Sequence, residues 1–164
     1  ANIERLRSRI PDIALRTTLI SGFPGESEED FCELYRFVNE TEFDRLGCFT
    51  YSAEEGTLAA DMPGQIDEPV KARRRDELME LQQAISYEKS EAMVGRSLEA
   101  MIEGRTDEGI YVARTYRDAP DVDGYLFIDT DRSLMSGDFV RVRVTDFNEY
   151  DLIGELCDED ESAQ

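Results

Sequence analysis

The chain has 164 residues, enough to bury the core of one domain or of two small ones, and 40% hydrophobic residues with eight Phe and seven Tyr exclude a wholly disordered polypeptide. Its 38 acidic against 18 basic residues give a net charge of -20, a field that repels phosphate backbones and anionic headgroups and draws cationic partners, while also serving plain solubility. With no histidine it has no Ser-His or Cys-His dyad and no common zinc site, and no run approaches the roughly 20 apolar residues of a membrane span.

Ile3, Leu6 and Ile10 recur at helical spacing, and Pro11-Asp12 stops that helix. Because Ala1-Asn2 already reads as helix interior, a piece of a longer chain is expected. Ile13 to Ser21 is a nearly continuous apolar and β-branched run, which predicts a strand buried on both faces in a parallel sheet. Gly22-Phe23-Pro24-Gly25 breaks it. Ser27-Glu28-Glu29-Asp30 fits a capping box, and Phe31, Leu34, Tyr35 and Val38 fall on one face of the helix that follows. Phe43 to Ser52 predicts the next strand, so this part reads as repeating β/α units.

Ala53 to Gln65 is a loop. The charged segment that runs from Asp67 to near Met93 has Pro69 in its first turn and Leu78, Leu81, Ile85 and Ala92 in helical register, and Gly95 ends it. Such a helix suits a bridge between domains, with Arg73-Arg74-Arg75 expected to pair with neighbouring acids such as Asp76 and Glu77 or with the next domain. Beyond Gly95 the apolar period changes to two: Leu98, Ala100 and Ile102, then Val140, Val142 and Val144, with Ile110 to Ala113, Tyr125 to Asp129 and Leu152 to Leu156 as further short strands. Five short strands separated by Gly- and Asp-rich turns predict a small closed antiparallel barrel, since closure removes the sheet edges.

Ligands of α/β folds gather at the carboxyl ends of strands, where Gly22-Phe23-Pro24-Gly25 and Phe49 to Thr57 would both lie. The glycines would admit a ligand to the backbone, and the following helix N-terminus favours an anion, although the charge of Glu26 opposes one. Taken alone, the two segments also fit an ordinary βα turn and an ordinary strand. Cys32, Cys48 and Cys157 show no CxxC spacing and read as buried thiols of a reducing cytosol.

Three stretches go further: LRTTLISGFPGESEEDF, EFDRLGCFTYSAEEGTLAADMPGQI and RRDELMELQQAISYEKSEAMVGRSLEAMIEG, in that order over nearly the whole chain. They resemble the C-terminal half of the radical S-adenosylmethionine methylthiotransferases. Within YSAEEGTLA, Glu54-Glu55 stand where members acting on transfer RNA usually carry Arg-Pro, so the resemblance is to the branch whose substrate is ribosomal protein S-twelve. Gly95 to Leu156 resembles the TRAM domain that closes such proteins.

The resemblance implies an α/β plus all-β chain. Residues 1–64 would be the C-terminal part of a radical-SAM (β/α) barrel, 65–94 a bridging helix, 95–157 a five-stranded antiparallel OB-like TRAM β-barrel, and 158–164 an acidic tail. Thr18, Ile20 and Gly22 would belong to a strand lining the cofactor, and Phe49, Thr50, Tyr51 and Ser52 to one whose backbone faces adenine. The family pattern places a Glu three positions after its Gly; here Glu26 comes four after Gly22, so no role for Glu26 is carried over.

The resemblance further implies an intact enzyme that uses S-adenosylmethionine and two [4Fe-4S] clusters to methylthiolate the β-carbon of an aspartate in S-twelve. Clusters require thiolates, and this chain has neither a CxxxCxxC motif nor three further clustered cysteines. No metal site, catalytic residue, tightly bound cofactor or activity is therefore expected of it alone. Gly95 to Gln164 holds seven Arg, no Lys and eighteen acids, a net of -11. That suits docking of a basic protein and argues against direct nucleic-acid binding. A transfer-RNA methylthiotransferase and a non-enzymatic acidic adaptor are the alternatives. A cytoplasmic location without membrane contact is expected, and the exposed strand edges of a cut barrel offer a route to dimers.

Overall fold

The computed structural model describes residues 2–157; the expected acidic tail, 158–164, lies outside the described residues. The elements in chain order are α1 (Asn2–Arg9), β1 (Arg16–Ser21), α2 (Glu28–Thr41), β2 (Arg45–Thr50), α3 (Glu68–Glu91), β3 (Ser97–Arg105), β4 (Tyr111–Thr115), β5 (Leu126–Ile128), β6 (Phe139–Phe147) and β7 (Leu152–Leu156). They divide into two compact units: Ala14–Ser86, and Tyr87 onward together with the residues up to Ile13. Among the described residues no helix is long and apolar enough to cross a membrane.

In the first unit β1 and β2 run parallel, with Arg16 opposite Arg45 and Ser21 opposite Thr50. Parallel neighbours need a crossover, which α2 supplies. This helix starts on the expected box: Ser27 accepts from the Asp30 N–H, and the Asp30 carboxylate accepts from the Ser27 N–H at 2.9 Å. Ser21, Leu46 and Cys48 on the strands and Phe31, Val38, Leu78 and Ile85 on the helices supply its buried surface.

β1 differs from expectation in two ways. It starts at Arg16 rather than Ile13, because the Leu15 N–H donates 2.8 Å to the Asp44 carboxylate instead of joining a ladder. It is also covered on one face only. Side chains alternate along a strand, so the register places Thr18 beside Gly47 and Ile20 beside Phe49 on a shared face, where Ile20 is 57% and Phe49 64% exposed. A two-stranded sheet with its helices on one side leaves the other open.

In the second unit five strands close into a barrel in the order β3-β4-β5-β7-β6. Of the expected inward residues, Leu98, Ala100, Ile102, Val142 and Val144 are buried and Val140 is half-buried, with Tyr111, Ala113, Leu126 and Ile128 also buried. Burying a Leu, Ile or Val is worth about 1.5–3 kcal/mol. Register shifts at Ile102/Gly104 and Val144/Asp146 bend the two nine-residue strands, as tight closure requires.

The expected all-antiparallel arrangement is incorrect: β5 and β7 pair parallel, with Leu126 opposite Leu152 and Ile128 opposite Gly154. The reason is topological, since directions cannot alternate all the way round a closed ring with an odd number of strands. One like-directed pair is unavoidable, and the β6–β7 hairpin delivers β7 beside β5.

Candidate functional site

The carboxyl ends of β1 and β2 lie side by side, and the Tyr51 N–H continues their ladder with a 2.8 Å bond to the Ser21 carbonyl. Thr18, Ile20 and Phe49 stand on the open face. Thr50, opposite Ser21, belongs to the covered face, while Gly22 and Tyr51 are buried at the rim and Ser52 is exposed. Six residues expected to line a cofactor thus fall at one open sheet face and its rim, and Thr50 offers only its backbone there.

The rim is held from behind by α3. Lys71, 4% exposed, donates from Nζ to the Tyr51 carbonyl at 3.0 Å and to Glu68 Oε1 at 2.7 Å, and its ammonium lies 5.4 Å from the Tyr51 ring centroid. Its own carbonyl accepts from Ser21 Oγ at 3.2 Å. The Lys71 stem covers Gly22, where an added Cβ would sit 2.3 Å from Lys71 Cγ and where φ is +74°. Both facts call for glycine. Phe23 meets the Tyr51 ring edge-on at 5.3 Å.

One turn further along α3, Arg74 holds Glu26 at 2.6 Å and Glu28 at 3.0 Å. Glu26 accepts the Gly22 N–H through both carboxylate oxygens, at 3.0 and 3.1 Å. The backbone donor of the glycine turn is therefore filled by the protein's own carboxylate rather than offered to an outside anion. Glu28, hydrogen-bonded by Arg74 and then Arg73, is held below the usual carboxylate range.

The three expected buried thiols are not alike. Cys48 is buried, and burial pushes its thiol up; Cys32 is exposed and Cys157 is intermediate. Among the described residues no group of three or more His, Cys, Asp or Glu side chains is placed to hold a metal ion.

The TRAM domain family matches residues 94–157, the barrel unit's strands included. Over 153 residues the chain is 58% identical to the "Ribosomal protein uS12 methylthiotransferase RimO" of Lachnoclostridium phytofermentans, covering 93% of this chain and 35% of that protein. It is 49% identical to the protein of the same name from Acetivibrio thermocellus over 158 residues, 96% of this chain and 35% of the relative. With the Anaeromyxobacter sp. protein it shares 49% over 162 residues, 98% and 34%.

The chain belongs to the RimO family. It corresponds to the C-terminal part of RimO proteins, TRAM domain included, and spans about a third of the length of the curated relatives it matches.

Against that RimO background, Lys71 is a residue that the sequence did not single out, and Arg74 has partners other than those expected. Arg73 and Arg75 do pair with Glu77 and Asp76, as expected of the basic island. Arg74 instead turns inward. The signal was present: Lys71, Arg74, Leu78, Gln82 and Ile85 form one buried stripe at helical spacing. Charged residues on such a stripe are retained only where they are paired.

Proposed function

We propose that this chain forms one wall of the S-adenosylmethionine pocket, and the TRAM docking module, of a radical-SAM methylthiotransferase that modifies an aspartate β-carbon in ribosomal protein S-twelve. The shared name of relatives at 49–58% identity carries the reading. The open face is consistent with it: parallel strands bring their carboxyl ends together, with Thr18, Ile20 and Phe49 on that face and Gly22, Tyr51 and Ser52 at its rim. Residues 1–64 would then be the surviving part of a larger barrel.

The donor set decides which groups this chain could hold. Its three cysteines lie apart, on α2, on β2 and after β7, so both [4Fe-4S] clusters would be held by segments outside this chain. An adenosine, by contrast, suits an exposed aromatic such as Phe49 beside free backbone at a strand end. When bound, the clusters and S-adenosylmethionine supply the radical chemistry and the sulfur transfer. The residues described here would bind and orient the nucleoside and keep water from it, and none is a proton donor or nucleophile for the reaction.

The barrel would serve as an acidic docking module for the basic substrate. Its seven Arg, absent Lys and fourteen acids, with four more acids in the segment that follows it in sequence, oppose a phosphate backbone and attract a cationic protein.

The test uses the intact enzyme, reconstituted with iron and sulfide and supplied with reductant, S-adenosylmethionine and either purified S-twelve or transfer RNA. A mass gain of one methylthio group on S-twelve, with retention of S-twelve by the isolated chain that weakens as salt rises, is the expected result. Modification of transfer RNA instead, or salt-dependent RNA binding by the chain, overturns the reading.

A further inference from the structure

We propose that Lys71 is a positioning residue for the nucleoside end of the S-adenosylmethionine pocket, acting through the backbone of Tyr51 and Ser52. This rests on the reading of the open face as a cofactor wall and adds to it a residue on the far side of the sheet.

A planar trans peptide points its C=O and N–H in opposite directions. The Lys71 ammonium, behind the rim, takes the Tyr51 carbonyl at 3.0 Å. The following Ser52 N–H is therefore turned away from α3, and among the described residues no acceptor takes it. Ser52 is exposed at the strand end, next to the open face that carries Ile20 and Phe49. An acceptor on a purine edge would meet that N–H beside an aromatic ring. Here a lysine fixes which way a peptide faces, and the peptide reads the ligand.

Lys71 is placed for this task by more than one contact. Its stem fills the space that a side chain at position 22 would need, so it also fixes the β1 rim. Its carbonyl is tied to Ser21 Oγ, and Glu68 balances its charge from one turn earlier on α3. A buried ammonium bonded to a single carbonyl and one carboxylate costs more to desolvate than an apolar chain of the same length. A Met at this position would fill the same space without the charge. The ammonium is explained by what it orients.

The test is made in the intact enzyme with Lys71→Met, which keeps the stem and removes the ammonium, and Lys71→Arg, which restores a cation. S-adenosylhomocysteine, which carries the same adenosine, is the binding probe. Loss of a charge-assisted hydrogen bond that orients the recognising peptide should weaken its binding about tenfold. KM for S-adenosylmethionine should rise in step, kcat should stay within about twofold, and the Arg variant should recover part of the affinity. Should Lys71→Met fail to fold, Lys71→Gln decides, because its shorter neutral side chain keeps part of the stem without reaching the Tyr51 carbonyl with a cation, and it should weaken the probe by a similar factor. A folded Lys71→Met, or in its absence a folded Lys71→Gln, that binds the probe like wild type overturns the inference while leaving the pocket reading intact. An intact wild-type enzyme that fails to bind the probe sinks both.

Discussion

Arg74 Nη1 lies 2.6 Å from Glu26 Oε1, and the two side chains are 4% and 12% exposed. This pair connects α3 to the glycine turn, because the same Glu26 carboxylate accepts the Gly22 N–H. Removing one partner of a buried pair leaves the other charge uncompensated, at a cost of about 3–5 kcal/mol, whereas replacing both can be nearly neutral. Arg74→Met should therefore cost about 3 kcal/mol, at the low end of that range because Glu28 and solvent reach the site. Glu26→Gln, which keeps an acceptor for Gly22 and leaves Glu28 as the counter-charge of Arg74, should cost less, about 1–2 kcal/mol. Urea unfolding of the chain checks both. Equal midpoints for wild type and Arg74→Met would show that the pair contributes nothing to holding the turn.

The cap of α2 predicts an acid limit. Asp30, which accepts from the Ser27 backbone N–H and then from its hydroxyl, is held below the usual carboxylate range, as is Glu28 by Arg74 and Arg73. A carboxyl whose folded pKa is depressed contributes stability that is complete above its unfolded value, about 4, and that vanishes as pH falls through the lower folded value. The advantage of wild type over Asp30→Asn in melting temperature should thus be constant from pH 7 to about 5, then shrink and disappear on further acidification. A difference that grows below pH 4 would contradict the sign. High salt should reduce the Glu28 contribution more than that of Asp30, whose partners are hydrogen-bond dipoles within one turn.

Much of this architecture was legible because it follows from local rules. The box at Ser27 and Asp30, the stripe through Leu78 and Ile85 and the period-two runs around Ile102 and Val142 each state their own geometry, and the structure forms each of them. What misled was a property of neighbours. Ile13 to Ser21 has the composition of a strand covered on both faces, yet nothing within those nine residues tells how many strands stand beside it. The parallel pairing of β5 with β7 was hidden for a related reason: alternation describes one strand, and direction belongs to the ring. In the candidate site, Thr18, Ile20 and Phe49 were pointed to by the family resemblance, whereas Lys71 was not legible, because its partner Tyr51 is twenty residues away and offers a backbone carbonyl rather than a readable side chain.

Ring closure makes its own prediction at Gly154, which is opposite Ile128 in the parallel pair and opposite Val144 in the antiparallel one. A Cβ there would sit 2.5 Å from Val142 Cγ1 and 2.8 Å from the Arg143 carbonyl oxygen. The first contact is a side chain that can be trimmed; the second is backbone on the neighbouring strand and cannot move without opening the ladder. Overpacking of this kind costs about 1–3 kcal/mol. Gly154→Ala should therefore destabilise the barrel by about that amount. Val142→Ala, which leaves a cavity, should cost about 1–2 kcal/mol alone, since it removes two buried methyl groups. Because it also removes the atom that the new methyl strikes, the double variant should be more stable than the sum of the two losses by about 1 kcal/mol. Denaturant midpoints of the four proteins give the coupling directly. Strict additivity would show that the backbone contact alone excludes a side chain at this position, while full rescue would show that it does not matter.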